Sequence, residues 1–181
     1  QTLDEFGVGG VGSTFRGIAL TAALVILVGA LVLYSFGFSN IPDRGERLWA
    51  SIFHSISAYN NAGFGLWSDS LERYHDNVVV NAVVMVLIVM GGLGWRVTSD
   101  LASQGVRRSR RRLSLHTRLV LRTTLLLVVF GTVGLALTEW LNRGEVFIGM
   151  AWRERWMTAL FESVTARTAG FTTVPFSLEN I

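Results

Sequence analysis

The sequence predicts an all-α membrane protein of repeated units, each a membrane span, a short re-entrant helix ending in a glycine turn, and a second span. Three observations predict it. Half of the 181 residues are apolar, more apolar surface than a soluble domain of this size covers with its charged residues. Three apolar stretches reach the roughly 20 residues that a helix needs to cross a bilayer. Two shorter apolar segments, too short to cross, resemble each other and run into the same Ala-Gly-Phe motif.

The N-terminus, Gln1-Thr2-Leu3-Asp4-Glu5, is acidic and lacks both a starting Met and the layout of a signal peptide, so residues 1–16 read as a cytoplasmic lead-in from a preceding repeat. The first span is expected over Gly17 to Phe36, the second over Asn77 to Trp95 and the third over Leu119 to Thr138. The shorter segments are Leu48 to Tyr59 and Arg155 to Ala166; apolar segments of this length are buried or re-entrant. Residues 17–95 therefore form one complete unit, 96–118 a basic loop, and 119–181 the span and pore loop of the next unit, without its second span.

Charge fixes the orientation. Eight of the sixteen basic residues, all arginine, lie between Arg96 and Arg122, with Asp100 the only acid among them, which marks this loop as cytoplasmic. Both short segments then enter from the external face. Trp49, Trp67, Trp140 and Trp152 stand where interfacial aromatic belts are expected. The run Arg107, Arg108, Arg110, Arg111 and Arg112 serves as a topology signal, an anionic-lipid contact or a docking site for a regulatory partner. Nucleic acid is disfavoured, because the run is clamped between two spans.

The repeat aligns Phe53-His54-Ser55-Ile56-Ser57-Ala58-Tyr59-Asn60-Asn61-Ala62-Gly63-Phe64 with Phe161-Glu162-Ser163-Val164-Thr165-Ala166-Arg167-Thr168-Ala169-Gly170-Phe171, one residue of insertion apart. A span–short helix–turn–span unit places unpaired carbonyls at membrane depth without exposing them to lipid. Such carbonyls replace the hydration shell of a monovalent cation, and the short helix aims its partly negative C-terminus at the same place. Gly63 and Gly170 let the backbone turn its carbonyls inward. Asn60, Asn61 and Ala62 are expected to line the first loop and Arg167, Thr168 and Ala169 the second. Glu162 is expected to brace the second loop, and Arg167 to turn from the path and pair with it.

Gly91, Gly92 and Gly94 suit close helix packing or a bend in the second span. Asn81 is expected to make an interhelical hydrogen bond and Arg122 to anchor its span by snorkelling. His54, His75 and His116 are too scattered for a metal site. Ser55, His54 and Glu162 are the only pieces of a membrane hydrolase on offer, with no Gly-x-Ser-x-Gly elbow and no His-Glu-x-x-His, so no enzyme is expected; a non-conducting assembly or regulatory subunit would keep the same fold, and a flux assay separates it from a transporter. The absence of cysteine removes disulfide and thiolate chemistry.

The stretches His54 to Leu66, Glu162 to Thr173 and Gly91-Gly92-Leu93-Gly94-Trp95 resemble the Trk/Ktr/HKT superfamily of K⁺, and in some members Na⁺, transporters. The resemblance implies four K⁺-channel-like units in one polypeptide, arranged around a single pore with one filter glycine per unit. This chain would be the second unit and most of the third, with Gly63 and Gly170 as filter glycines. The missing repeats of the same polypeptide would complete the filter, and the missing second span of the third unit would carry the gating loop. It also implies K⁺ as the transported ion with Na⁺ possible, and no organic cofactor. A multi-pass place in the bacterial inner membrane, a homodimer, and a cytoplasmic nucleotide-binding regulatory ring near the arginine loop are implied as well. In the plant-type branch a serine in place of a filter glycine accompanies Na⁺ preference; both positions here are glycine, which leans toward K⁺.

Overall fold

The structure, a computed structural model, describes residues 8–107, 113–141 and 150–174. All the regular structure among them is helical: α1 (Val8–Val32), α2 (Arg44–Tyr59), α3 (Val78–Leu93), α4 (Trp95–Arg107), α5 (Leu115–Leu141) and α6 (Trp152–Thr168). It is an all-α membrane protein. Two of the helical stretches, Thr14–Gly37 and Leu115–Leu141, are long and apolar enough to cross a bilayer. Both expose large apolar side chains, among them Leu20, Leu24, Leu27 and Leu31 on the first and Leu125, Leu126 and Phe130 on the second, as a lipid-facing helix does.

The expected second span differs. α3 stops at Leu93, because Gly94 takes φ +78°, and α4 leaves at 104° to it. Its 16 residues cover about 24 Å, short of a hydrocarbon core of about 30 Å; only together with α4 does it pass as a third crossing. α3 is also largely enclosed. Val80, Val84, Leu87 and Ile88 are buried in a core they share with Leu33, Phe38, Leu71 and Tyr74, and with Phe161 and Phe171 of the second unit, and Asn81 is a buried polar residue of the same helix.

Helix ends are set by local chemistry. Asp43 caps α2 by accepting from Glu46 N at 2.7 Å, and Asn77 caps α3 by accepting from Val79 N and Val80 N at 3.0 and 3.1 Å. A π-helical turn, Leu33–Gly37, follows α1. Asn77 Nδ2 donates to the Gly37 carbonyl at 3.0 Å, which ties the end of α1 to the start of α3. Asn81 does not make the expected bond to another α-helix but reaches the segment just ahead of its own. Its Nδ2 donates to the carbonyls of Tyr74 at 2.8 Å, His75 at 3.2 Å and Asn77 at 2.8 Å, because its side chain points back along the helix toward the segment that enters it.

The two short helices dock on the two long ones in the same way. Ser55 Oγ donates to Ile26 O at 2.7 Å, and Ser163 Oγ donates to Val128 O at 2.8 Å. Three residues after each accepting carbonyl stands a glycine, Gly29 or Gly131, whose missing side chain leaves room for the serine. The repeat therefore extends into the spans. Ser55→Ala and Ser163→Ala are each expected to cost about 1 kcal/mol, and the double change about their sum, since the sites share no partner. Thermal unfolding of the intact protein checks this; Gly131→Ala should lower the midpoint further, because its Cβ would overlap the Ser163 hydroxyl.

Candidate functional site: two facing loops

α2 and α6 each end in a hydrogen-bonded turn. Asn60 N, Asn61 N and Ala62 N donate to Ile56 O, Ala58 O and Ser57 O at 3.0, 3.1 and 2.9 Å; Ala169 N and Gly170 N both donate to Thr165 O at 2.9 and 3.2 Å. The chain then passes through left-handed backbone at Asn61 (φ +53°), Gly63 (+71°) and Gly170 (+85°). Asparagine tolerates this region because its short side chain bonds locally, and glycine because it has no Cβ.

The two turns touch. Thr168 Oγ1 donates to Asn61 Oδ1 at 2.7 Å, and Gly63 lies so close to the Ala169 carbonyl that a Cβ there would overlap its oxygen and stand 3.0 Å from its carbon. Asn61, Gly63, Thr168, Ala169 and Gly170 are thus brought together. Ala62 is exposed beside them, while Asn60 turns back and donates to Ile56 O at 2.8 Å. Behind the first turn, a Cβ on Gly91 of α3 would overlap the Tyr59 carbonyl oxygen and lie 3.0 Å from Asn61 Nδ2. α3 thus supports the turn through glycine. Gly91 serves packing and Gly94 the bend, so both expected uses of the glycine cluster are realised at different residues.

Glu162 and Arg167 do not pair. Glu162 Oε1 accepts from Thr173 N at 2.9 Å and from Thr173 Oγ1 at 3.1 Å, whereas Arg167 Nη2 lies beside Gly92, 3.0 Å from where a Cβ would be. Five residues apart on a helix, the two side chains diverge by about 140°, which prevents the expected contact. His54 takes the place in α2 that Glu162 takes in α6. It is fully buried, its Nδ1 is 2.8 Å from Ala50 O, and its ring stacks on Trp67 at 4.7 Å. Among the described residues no group of three His, Cys, Asp or Glu side chains could hold a metal.

In a 3-10 turn ahead of α3, Glu72–Tyr74, Arg73 donates to both carboxylate oxygens of Asp69 at 2.7 and 2.9 Å, which holds the Asp69 carboxyl below its ordinary range. Arg108, Arg110, Arg111 and Arg112, with the side chain of Arg107, lie outside the described residues. The sequence reading gave no role to Ser55 or Ser163 as docking groups, or to Ser70, Leu71, Thr172 and Thr173. The repeated serine was a visible signal; the other four carry none in a single sequence.

Two long apolar helices, two short ones whose ends meet at glycine turns, and a bent helix behind them define an all-α membrane protein. A family profile described as "TrkH: Cation transport protein" matches residues 9–180. The chain belongs to this family of cation transport proteins, not to a family of enzymes. It is 34% identical over 182 residues to the Ktr system potassium uptake protein B of Bacillus subtilis, covering 97% of this chain and 38% of that protein. It is 36% identical over 159 residues to the potassium/sodium uptake protein NtpJ of Enterococcus hirae, covering 87% and 34%. To the Ktr system potassium uptake protein B of Vibrio alginolyticus it is 36% identical over 160 residues, covering 86% and 34%. The chain thus spans little more than a third of the length of these relatives.

Proposed function

We propose that the chain forms part of a transmembrane pathway for monovalent cations, K⁺ foremost, in which the loops at Asn60–Gly63 and Arg167–Gly170 supply main-chain carbonyls to the ion. The observation that carries this reading is the meeting of Gly63 and Gly170, both in left-handed backbone, at the C-termini of two short helices. Carbonyl oxygens and two helix C-termini make a partly negative place that favours a cation over an anion. Glu162 braces the second loop through Thr173, and Arg167 lies against α3 beside the first. The names of the relatives support potassium uptake, and one of them names sodium too, so Na⁺ is the competing cargo.

In this reading residues 17–95 are a complete unit, 119–181 belong to the next, and the remaining units of the same polypeptide complete the filter. The protein sits in the plasma membrane with loop 96–118 in the cytoplasm and the glycine turns open to the outside. It works as a homodimer with a nucleotide-binding cytoplasmic ring, contacted near Arg107–Arg112.

The test is uptake of radioactive rubidium by the intact parent protein in liposomes, beside a Gly170→Asp variant. A Cβ at φ +85° strains the turn, and a carboxylate adds charge where carbonyls act. Uptake that K⁺ suppresses at lower concentration than Na⁺, and that falls about tenfold in the variant, is the expected result. Uptake identical in the two proteins would move the pathway away from this loop.

A further inference from the structure

The chain just past Gly170 is held from two sides. On one side Thr173 N and Oγ1 donate to Glu162 of its own unit. On the other, the loop after the first glycine turn reaches across: Leu71 N donates to Thr172 O at 3.0 Å, and Ser70 Oγ accepts from Thr172 N at 3.2 Å. Both main-chain groups of Thr172 are thus bonded to neighbouring residues of the first unit. Phe171, fully buried, points into the first unit as well, with its ring 6.4 Å from that of His54.

The loop that provides these bonds is itself braced. Ser70 N donates to Trp67 O at 3.1 Å, Glu72 N to Asp69 O at 2.9 Å and Tyr74 N to Leu71 O at 2.9 Å. The Arg73 guanidinium pairs with Asp69 and lies over the Trp67 ring at 4.9 Å. Ser70 has φ +50°, a conformation that disfavours serine relative to glycine or asparagine. Its hydroxyl gives a reason for it to stand there.

The first loop is held differently. Ser57 Oγ of its own helix donates to Phe64 O at 2.9 Å, whereas the hydroxyl of Thr165, the repeat counterpart of Ser57, has no hydrogen-bond partner among the described residues. The second loop therefore takes from the neighbouring unit a support that the first takes from its own helix.

We propose that Ser70 is a positioning residue that sets cation preference at the second loop: by holding Thr172 together with Leu71, it fixes where the carbonyls around Gly170 point. This rests on the cation-pathway reading above. A filter discriminates ions by how its carbonyls are placed and how freely they adjust, so a loosened Thr172 changes the ratio between ions more than it changes total flux.

The test uses the intact parent protein with Ser70→Ala, Ser70→Gly and Ser70→Asn. Glycine suits φ +50° but lacks the acceptor, so it separates the hydroxyl from backbone strain; asparagine suits that φ and keeps an acceptor oxygen. Two readouts are taken: amide hydrogen exchange of the peptide containing Thr172, and the Na⁺ and K⁺ concentrations that halve rubidium uptake. Ser70→Ala and Ser70→Gly are expected to speed exchange at Thr172 and to lower the Na⁺/K⁺ discrimination, each by about fivefold, the effect of one ordinary hydrogen bond. Ser70→Asn is expected to restore both. Unchanged exchange in the glycine variant overturns the clamp, and faster exchange with unchanged discrimination overturns its role in ion preference. No uptake by the unmutated protein overturns the pathway reading itself, a different result from normal uptake with equal discrimination in all four proteins.

Discussion

Gly91→Ala in the intact protein is expected to abolish rubidium uptake and to lower thermal stability by about 3 kcal/mol, the upper part of the range for overpacking a fixed interior. The cause is local. The added methyl would overlap the Tyr59 carbonyl oxygen and lie 2.8 Å from its carbon, and both are backbone at the end of α2 that no rotamer change can move. Either α3 retreats, which uncovers the core around Val84, Leu87 and Ile88, or the end of α2 is pushed forward and carries Asn61 and Gly63 with it. Both outcomes displace the first turn. Gly92→Ala is the matched control: its Cβ would meet only Arg167 Nη2 at 3.0 Å and Asn61 Nδ2 at 4.0 Å, and the end of a long arginine side chain moves aside at little cost. Uptake near normal in Gly92→Ala and lost in Gly91→Ala is the expected pair; equal, mild effects would show that α3 does not support the turn.

Gly63→Ala is expected to have an effect of the same order for two reasons that add. Alanine at φ +71° costs roughly 1–2 kcal/mol relative to glycine, and its methyl would collide with the Ala169 carbonyl across the contact between the loops. Uptake should fall at least about tenfold while the protein still reaches the membrane. Gly65→Ala, two residues on, has an ordinary φ and meets nothing closer than 3.4 Å, so it should retain uptake. If Gly65→Ala is as damaging as Gly63→Ala, the loss reflects a general sensitivity of the loop and not the contact between Gly63 and Ala169.

The helices and the pairing of the two short segments were legible because each has a strong local signal. The expected α2 began at Leu48, four residues late, because its first turn, Arg44 to Arg47, is charged and carries no apolar periodicity; Asp43 was the available cue. The early end of α3 was harder. Gly91, Gly92 and Gly94 read alike in an apolar run, and only the neighbours distinguish a glycine that admits a carbonyl from one that turns the chain. The Glu162–Arg167 pair failed on helical phase, which the spacing of five already contained. The links of Ser70 and Leu71 to Thr172 join residues about a hundred positions apart in unrelated local patterns, so a single sequence carries no trace of them.

Phe171 and its counterpart Phe64 have the same place in the repeat and opposite fates. Phe171 is fully buried in the contact with the first unit, whose Phe38, His54, Trp67 and Tyr74 form a connected aromatic cluster, while Phe64 is 69% exposed. A plug on one unit meets a socket on its neighbour, and the two are different surfaces. Such a contact is head-to-tail: it gives the row of units a direction, and successive copies either close into a ring when their rotation sums to a full turn or run on without end.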